Sequence, residues 1–577
     1  MKFSEVANSF AVLEKTASRT HMTQELAHVL QQATAQEALY ISYMVLGTLN
    51  PPYISTQFAI AQKSMIKIIA RLVNLSDEII EQAVVRIGDC GAVVEEYVWH
   101  TNHDLTITQV YRALQDIEKI AGVGSQEEKI TKTYELLSQV DVVSAKYIIR
   151  IILGKLRLGF SDMTLLDAFS WMYTGDKSAR KTLEQAYNVC ADSGLLAQTL
   201  KEFGIASVEA MRIHIGIPIR PAAAERLPDA KAIIEKIGVS VAQPKLDGFR
   251  LQVHVDLTQD KPLIRFFSRN LLDMSEMFPE FVTACKKFPI KNIILDAEAI
   301  VYDPNTHTFL SFQETVKRKR KHGIDALVSE LPLQLNIFDI MYHNGHSLLD
   351  VTQKERRMLL EKIFAQNTDK SIRIIDQKKV HTAHELEQYF IQEIAAGLEG
   401  VVVKKQDSLY QAGKRSFNWI KLKYQASDKL QDTLDVVILG YYPGQGKRAH
   451  FGIGAFLIGI YNQEVGQFQT VAKIGTGLTD DEWRLLKSKC DMLALKECPK
   501  NVFCTKELVP LVWVSPEIVC EVLADEITLS PQHTAGKTDN NLGVALRFPR
   551  FVKYRDDKSA FHTTTLQELQ HLRTMKI

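Results

Sequence analysis

The run Lys245-Leu246-Asp247-Gly248-Phe249-Arg250 follows Pro244 and leads into the alternating stretch Leu251 to Val255. Proline and the Asp-Gly pair mark a turn, and the period of two after it marks a strand. A lysine in a tight turn at a strand start becomes a nucleophile when neighbouring cations or desolvation lower its pKa from about 10.4. The same hexapeptide also reads as a surface Lys–Asp pair beside a glycine turn. K-x-D-G is too short to decide between the two.

Two further strands bear on the choice. In IILDAEAIVY the period of two places Ile294, Asp296, Glu298 and Ile300 on one face, so two carboxylates share the face of an apolar strand. Buried carboxylates need partners: a ribose hydroxyl or a metal serves, and so does an Arg or Lys from a neighbouring strand. In Asn418-Trp419-Ile420-Lys421-Leu422-Lys423 the same period puts Trp419, Lys421 and Lys423 on one face and Ile420 and Leu422 on the other. Like charges at that spacing are disfavoured unless an anion lies between them, and a nucleotide phosphate is the natural candidate. The plainer reading is an edge strand protected by lysines.

The texture of the chain changes twice around these strands. Residues 1–215 read as helical, with apolar residues at three- and four-residue spacing, as at Tyr147, Ile148, Ile151, Ile152 and Leu156. Asn50-Pro51-Pro52 and Gly122-Val123-Gly124 divide this region into helical groups. Residues 216–424 read as α+β, with the strand-like runs RLQVHV, LIRFFS, NIILDAEAIVY, LQLNIFDIMY and GVVVKK. The polar stretch YQASDKLQD reads as a linker into residues 425–577, where DVVILGYY, FLIGIY, TVAKIGTG and IVCEVLADEITL suggest a small all-β barrel.

Composition agrees with a multidomain globular chain. Its 577 residues imply about three to five domains. Apolar residues at 46% and charged residues at 24% exclude collagen-like or mainly disordered classes. No run of apolar residues is long enough to span a membrane, and the first residues lack the order of a signal peptide, so a soluble intracellular protein is expected, not a secreted one. The seven cysteines include no C-x-x-C pair, which argues against a zinc module and for reduced thiols. A net charge of +1 speaks against a basic coat but leaves room for a local basic track.

Taken in order, Lys245-Leu246-Asp247-Gly248-Phe249-Arg250, Ser268-Arg269-Asn270, Asp296-Ala297-Glu298, Phe338-Asp339-Ile340, Glu399-Gly400-Val401-Val402-Val403-Lys404, Trp419 to Lys423 and Arg555-Asp556-Asp557-Lys558 resemble the motifs of ATP-dependent DNA ligases. The flanking runs Leu156 to Gly159, Ala412 to Ser416 and Arg547 to Arg550 resemble the replicative, three-domain members, archaeal and eukaryotic in type. The resemblance covers essentially the whole chain. It implies an all-α DNA-binding domain over 1–215, an α+β nucleotidyltransferase (adenylation) domain over 216–424 and an all-β OB-fold domain over 425–577.

The resemblance also implies roles. Lys245 attacks the α-phosphate of ATP to form a Lys-AMP phosphoramidate, and Arg250 and Arg269 hold ribose, phosphate or the DNA 5′-phosphate. Glu298 accepts from the ribose hydroxyl, Phe338 stacks on adenine, and Arg415, Lys421 and Lys423 neutralise phosphate charge. Glu399, with Glu298, is the expected metal contact, for Mg²⁺. Arg555, Asp557 and Lys558 belong to a terminal motif that orients the pyrophosphate leaving group. Such a set is coherent, because phosphoryl transfer depends mainly on positioning and charge neutralisation. One departure stands out: the family usually has an acidic residue where this chain has Gln243, whose amide can accept from an adenine amine or donate to a guanine O6.

The expected partners are ATP and nicked double-stranded DNA, in replication, repair and recombination, with the protein acting as a monomer without a membrane. No sliding-clamp motif is evident: Gln62-Lys63-Ser64-Met65 lacks a following aromatic pair, and Ile66, Ile68 and Ile69 read as core. The resemblance places the protein in the nucleoid of a prokaryote or the nucleus of a eukaryote. The basic run Lys317 to His322 reads equally as a phosphate track and as a solvated face. Gly536-Lys537-Thr538 is not a P-loop, since Pro531 stands where a glycine is required. Two other functions share parts of the pattern: an mRNA-capping guanylyltransferase or RNA ligase, and a nick-binding clamp without catalysis. An NAD-dependent ligase is disfavoured by the missing four-cysteine module.

Overall fold

The computed structural model describes all residues except 17, 100–103, 289, 304, 305, 307, 311, 319–327, 329, 424–432, 445, 539, 540 and 575–577. The chain forms two compact units: Met1–Asp77 with Val94–Tyr424, and Glu78–Val93 with Gln425–Ile577. The stretch read as a linker, residues 424–432, falls wholly outside the described residues.

The first unit begins with helices that start where short polar side chains cap them. Thr34 and Thr106 close capping boxes, and Asp141 and Asp192 accept from the first free amides of Val142–Ile152 and Ser193–Phe203. Each such cap contributes about 1 kcal/mol. The helix Val142–Ile152 is buried all round, not on one stripe, and ends before Leu156. Burial of Lys146 and Arg150 on it is offset by the carboxylate of Glu14, 2.9 Å from each. Asn50 to Pro52 and Gly122 to Gly124 fall between helices, and Met65, Ile66, Ile68 and Ile69 are buried.

The rest of this unit is two sheets. One has the strand order Ala223–Arg226, Arg415–Lys423, Gly400–Lys405, Ser240–Pro244, Lys378–Val380. The strand bearing Lys421 and Lys423 is therefore interior, which removes the protected-edge reading. Ile420 and Leu422 join the core behind it with Val401 and Val403. The second sheet runs Leu263–Ser268, Phe249–Asp256, Asn292–Asp303, Leu333–His343, His346–Ser347, with two short strands added. Ile293, Leu295, Ala297 and Ala299 pack with Phe266, Phe278 and Phe281 on its far side. Ile294, Asp296, Glu298 and Ile300 are left on the opposite face, as the alternation predicts.

Three expectations need correction. In the basic run 317–322, Lys317 is exposed and pairs with Glu314, but Arg318 is fully buried and pairs with Glu280, so it cannot be a surface phosphate contact. The remainder of that run lies outside the described residues. The C-terminal unit is strand-rich, but it is not purely β. It carries the helices Asp480–Met492 and Leu566–Thr574, and Trp483, Leu486 and Leu569 enter its core. The first of these was readable from the capping box Thr479 and Glu482. The run IVCEVLADEITL is two strands, Val519–Leu523 and Glu526–Ser530, interrupted at Ala524 and Asp525.

Candidate functional site

Lys245 lies in the short link that carries the chain from Ser240–Pro244 in one sheet to Phe249–Asp256 in the other. Its backbone is pinned on both sides: its amide donates to the Gly400 carbonyl at 2.8 Å, and its carbonyl accepts from the Glu399 amide at 3.3 Å. Gly248 is required by space. A Cβ there would stand 2.3 Å from the Ala299 carbonyl oxygen, while its own amide donates to Glu298 Oε1 at 3.1 Å. Gly400 has φ of 139° and a Cβ would meet the Leu422 oxygen at 2.2 Å, so the turn at Glu399 also needs glycine.

This link opens onto a cavity of about 1260 Å³. Its walls include Gln243, Lys245, Arg250, Arg269, Glu298 and Phe338, and also Glu399, Lys421 and Lys423. The Glu399 carboxylate contacts both Lys245 Nζ and Lys423 Nζ. Burial alone would raise the Glu399 pKa, but those two ammonium groups hold it below the ordinary range. The pKa of Lys421 is lowered by burial and by the neighbouring cations Lys423, Arg415, Lys245 and Arg269. Cations from several strands converge here around the Glu399 carboxylate, which suits a polyphosphate.

The two carboxylates of Asn292–Asp303 separate into different tasks. Asp296 is a structural partner: Arg250 Nε and Nη2 donate to it at 3.0 and 2.6 Å, and the Tyr410 hydroxyl donates at 2.8 Å. Arg250 lines the cavity, but its third nitrogen donates to the Ala222 carbonyl at 2.7 Å, so its donors are largely committed. Glu298 faces the cavity. Burial raises its pKa to about 7, against the pull of Lys245 and Arg250.

Phe338 owes its place to a β-bulge. Asp296 pairs with Asp339 while Ala297 pairs with Ile337, which leaves Phe338 as the extra residue. The core side accordingly switches from Leu333, Leu335 and Ile337 to Ile340. Behind Phe338 stands Lys404, which the strand pattern did not single out. It is 1% exposed, its Nζ donates to the Phe338 carbonyl at 3.0 Å, and it lies 4.8 and 4.2 Å from the ring centres of Phe338 and Trp419. Burial lowers its pKa to about 8, with Asp339 opposing.

The rim also includes residues from the helical part of the same unit that sequence reasoning missed, Tyr53, Ile54, Ser55 and Gln57. The Tyr53 hydroxyl donates to Asp192 at 2.6 Å, as does that of Tyr43, and its ring meets Phe267 edge-on at 6.3 Å. No local pattern signals this, because Asp192 is far away in sequence. Arg415 is exposed at the start of its strand and is not among the cavity walls. Arg555, Asp557 and Lys558 belong to the second unit, where Arg555 bridges Asp435 and Asp557 at 2.9 and 2.8 Å and Lys558 pairs with Asp435.

For a metal near Lys245 the donors are the carboxylates of Glu399 and Glu298; Asp247, Asp273 and Glu276 also line the cavity, and no described His or Cys does. Among the described residues no three acidic, His or Cys side chains gather into a metal cluster. One or two carboxylates completed by substrate phosphates and water is the usual way Mg²⁺ is held in phosphoryl-transfer sites, so the donor set fits that ion.

Comparison with known proteins agrees with this geometry. Residues 221–423 match the ATP dependent DNA ligase domain, residues 2–170 the DNA ligase N terminus, and residues 449–558 the ATP dependent DNA ligase C terminal region. A probable DNA ligase of Dictyoglomus turgidum is 39% identical across 99% of this chain and 97% of its own. DNA ligase 1 of Methanosarcina acetivorans is 35% identical across 99% of both. The solved structure Pmar-Lig_PreS3, at 16% identity and a TM-score of 0.56, covers 95% of this chain and 99% of its own and shares the fold. Among the described residues no helix is long and apolar enough to cross a membrane. A pinned lysine in a cavity rich in cations, and full-length likeness at these identities, lead to one conclusion: the chain belongs to the ATP-dependent DNA ligases.

Proposed function

We propose that Lys245 is the residue that takes AMP from ATP, and that the cavity around it serves the successive steps of nick sealing. The observation that carries this is the convergence of Lys245, Glu298, Phe338, Glu399, Lys421 and Lys423 on one cavity. The Lys245 amine attacks the α-phosphorus, and pyrophosphate leaves with its electron pair. AMP then passes to the 5′-phosphate of a nick, restoring the lysine, and the 3′-hydroxyl displaces AMP to close the phosphodiester. Attack needs the free amine, so the Glu399 contact must open and a proton must leave first.

Within this scheme Phe338 stacks on the base, Glu298 accepts from the ribose hydroxyl, Gln243 reads the base edge, and Lys421 and Lys423 neutralise phosphate charge. Arg269 meets ribose, phosphate or the DNA 5′-phosphate, Arg250 does so while anchored to Asp296, and Arg415, outside the cavity wall, adds to the neutralisation of phosphate charge. Glu399, with Glu298, would hold Mg²⁺, which supplies charge neutralisation on the phosphates. Residues 1–215 grip duplex DNA, 216–424 carry the nucleotide chemistry, and 425–577, as an OB-fold domain, bring Arg555, Asp557 and Lys558 to bear on pyrophosphate. The protein acts as a monomer on nicked duplex, in the compartment that holds the chromosome.

The test is incubation of the full chain with α-labelled ATP, GTP or labelled NAD and Mg²⁺, followed by a denaturing gel. A covalent label from ATP that is absent in Lys245→Ala is expected. A label of equal intensity in that variant overturns the assignment.

A further inference from the structure

We propose that Gln377 sets the base selectivity of the cavity by fixing which end of the Gln243 amide is presented to the nucleotide. The inference rests on the reading above, that this cavity takes the base of ATP.

The sheet places the two glutamines side by side. Lys378 pairs with Ala242 in an antiparallel register, so Gln377 comes opposite Gln243. On the other side Gln243 pairs with Val402, and Val402 with Lys421. Gln243, Val402 and Lys421 all line the cavity, whereas Ala242 and Val401 enter the core behind. Gln377 therefore ends a row of side chains that crosses the sheet on its nucleotide face. Gln243 is 2% exposed, and its Nε2 donates to Gln377 Oε1 at 3.4 Å.

A planar amide has an acceptor at one end and a donor at the other. With the NH₂ end of Gln243 turned to Gln377, the oxygen is the end left for the base. An oxygen there accepts from the 6-amino group of adenine and repels the 6-oxygen of a 6-oxopurine. The pair also has a mirror arrangement, in which both amides turn over, Gln377 donates and Gln243 shows its NH₂. What stands at 377 thus decides the reading, although it is the neighbouring residue that meets the base. This is the physical consequence of having an amide where the family usually has a carboxylate, which can only accept.

The test uses the full chain with Mg²⁺ and compares kcat/KM for adduct formation on Lys245 with ATP and with ITP, which differ at the purine 6-position. Gln377→Glu can only accept, so it should hold or raise the ATP:ITP ratio. Gln377→Lys can only donate and should lower that ratio roughly tenfold or more, as expected for a buried polar group left without its partner. Effects of charge on triphosphate binding, or of a reduced folded fraction, cancel in the ratio. Gln377→Leu should relax selectivity, and Gln243→Glu added to it should restore the preference for ATP, which keeps the test decisive if the lysine variant does not fold. Ratios within twofold of one another for the Glu, Lys and Leu variants, or a shift in the opposite order, overturn the proposal. Absence of any adduct in the unaltered chain would instead refute the nucleotide reading of the cavity.

Discussion

Gly248→Ala is the sharpest test of how the fold holds the Lys245 link. The new Cβ would lie 2.3 Å from the Ala299 carbonyl oxygen, 3.0 Å from its carbon and 3.1 Å from Ile300 Cβ. Ordinary contact begins at 3.4 Å, so the overlap with the oxygen is about 1 Å. Ala299 belongs to a strand paired on both sides, with Phe249 and with Leu335, and Ile300 is buried, so this wall cannot retreat. The link must move instead, carrying Lys245 with it and stretching the bond from the Gly248 amide to Glu298. A displacement of about 1 Å at a reacting group costs roughly 100-fold in rate. Single-turnover formation of the Lys245 adduct with saturating ATP should fall by that factor. Sealing of a pre-adenylylated nick should fall less, since the lysine amine is not the attacking group there. Gly248 does not have a positive φ, so a loss would report on space and not on backbone strain. Adduct formation within twofold of the unaltered chain would refute the argument.

Lys245→Ala and Lys245→Arg should both abolish the adduct, the latter because a guanidinium supplies no free lone pair near neutral pH; sealing of a pre-adenylylated nick by either variant should persist, and full adduct formation by either would count against the assignment. Phe338→Ala should raise KM for ATP by the equivalent of roughly 1–3 kcal/mol of base stacking while leaving later steps less affected, and an unchanged KM would remove Phe338 from the base site. Glu298 has its pKa raised from 4.5 to about 7 by burial, so its folded form resists ionisation: no penalty exists below 4.5, it grows as pH rises, and above about 7 it reaches about 3 kcal/mol. Denaturant unfolding should accordingly show Glu298→Gln gaining stability over the native chain at pH 8 but not at pH 4, and equal differences at the two values would contradict the shift. Arg356 donates to Asp339 at 2.7 and 3.1 Å with both side chains buried, so Arg356→Met should cost roughly 3–5 kcal/mol, with partial recovery in the double variant that adds Asp339→Asn; a loss under about 1 kcal/mol measured by the same method would refute that.

Strand periodicity is a local property, and what depended on it was legible in the amino-acid sequence. The turn at Lys245 to Gly248 follows from its flanking proline and Asp-Gly pair, the shared face of Asp296 and Glu298 and that of Trp419, Lys421 and Lys423 follow from a period of two, and the structure keeps each of them. Pairing across distant strands is not local. Asp296 and Glu298 look alike in sequence, but Arg250 and Tyr410, 46 and 114 residues from Asp296, neutralise it and leave Glu298 to the cavity. Phe338 reaches the cavity through a bulge visible only as a register shift with Asn292–Asp303, and Arg318 is drawn out of a basic run by Glu280. Lys404 and Tyr53 become walls or supports of the site because Asp339 and Asp192 reach them from other elements. The chemical types, and the strand faces on which they lie, could therefore be read from residue order alone. Which of those groups are consumed by one another and which remain for a substrate was settled in three dimensions, because a buried polar group without a partner is costly and the choice of partner is made in space.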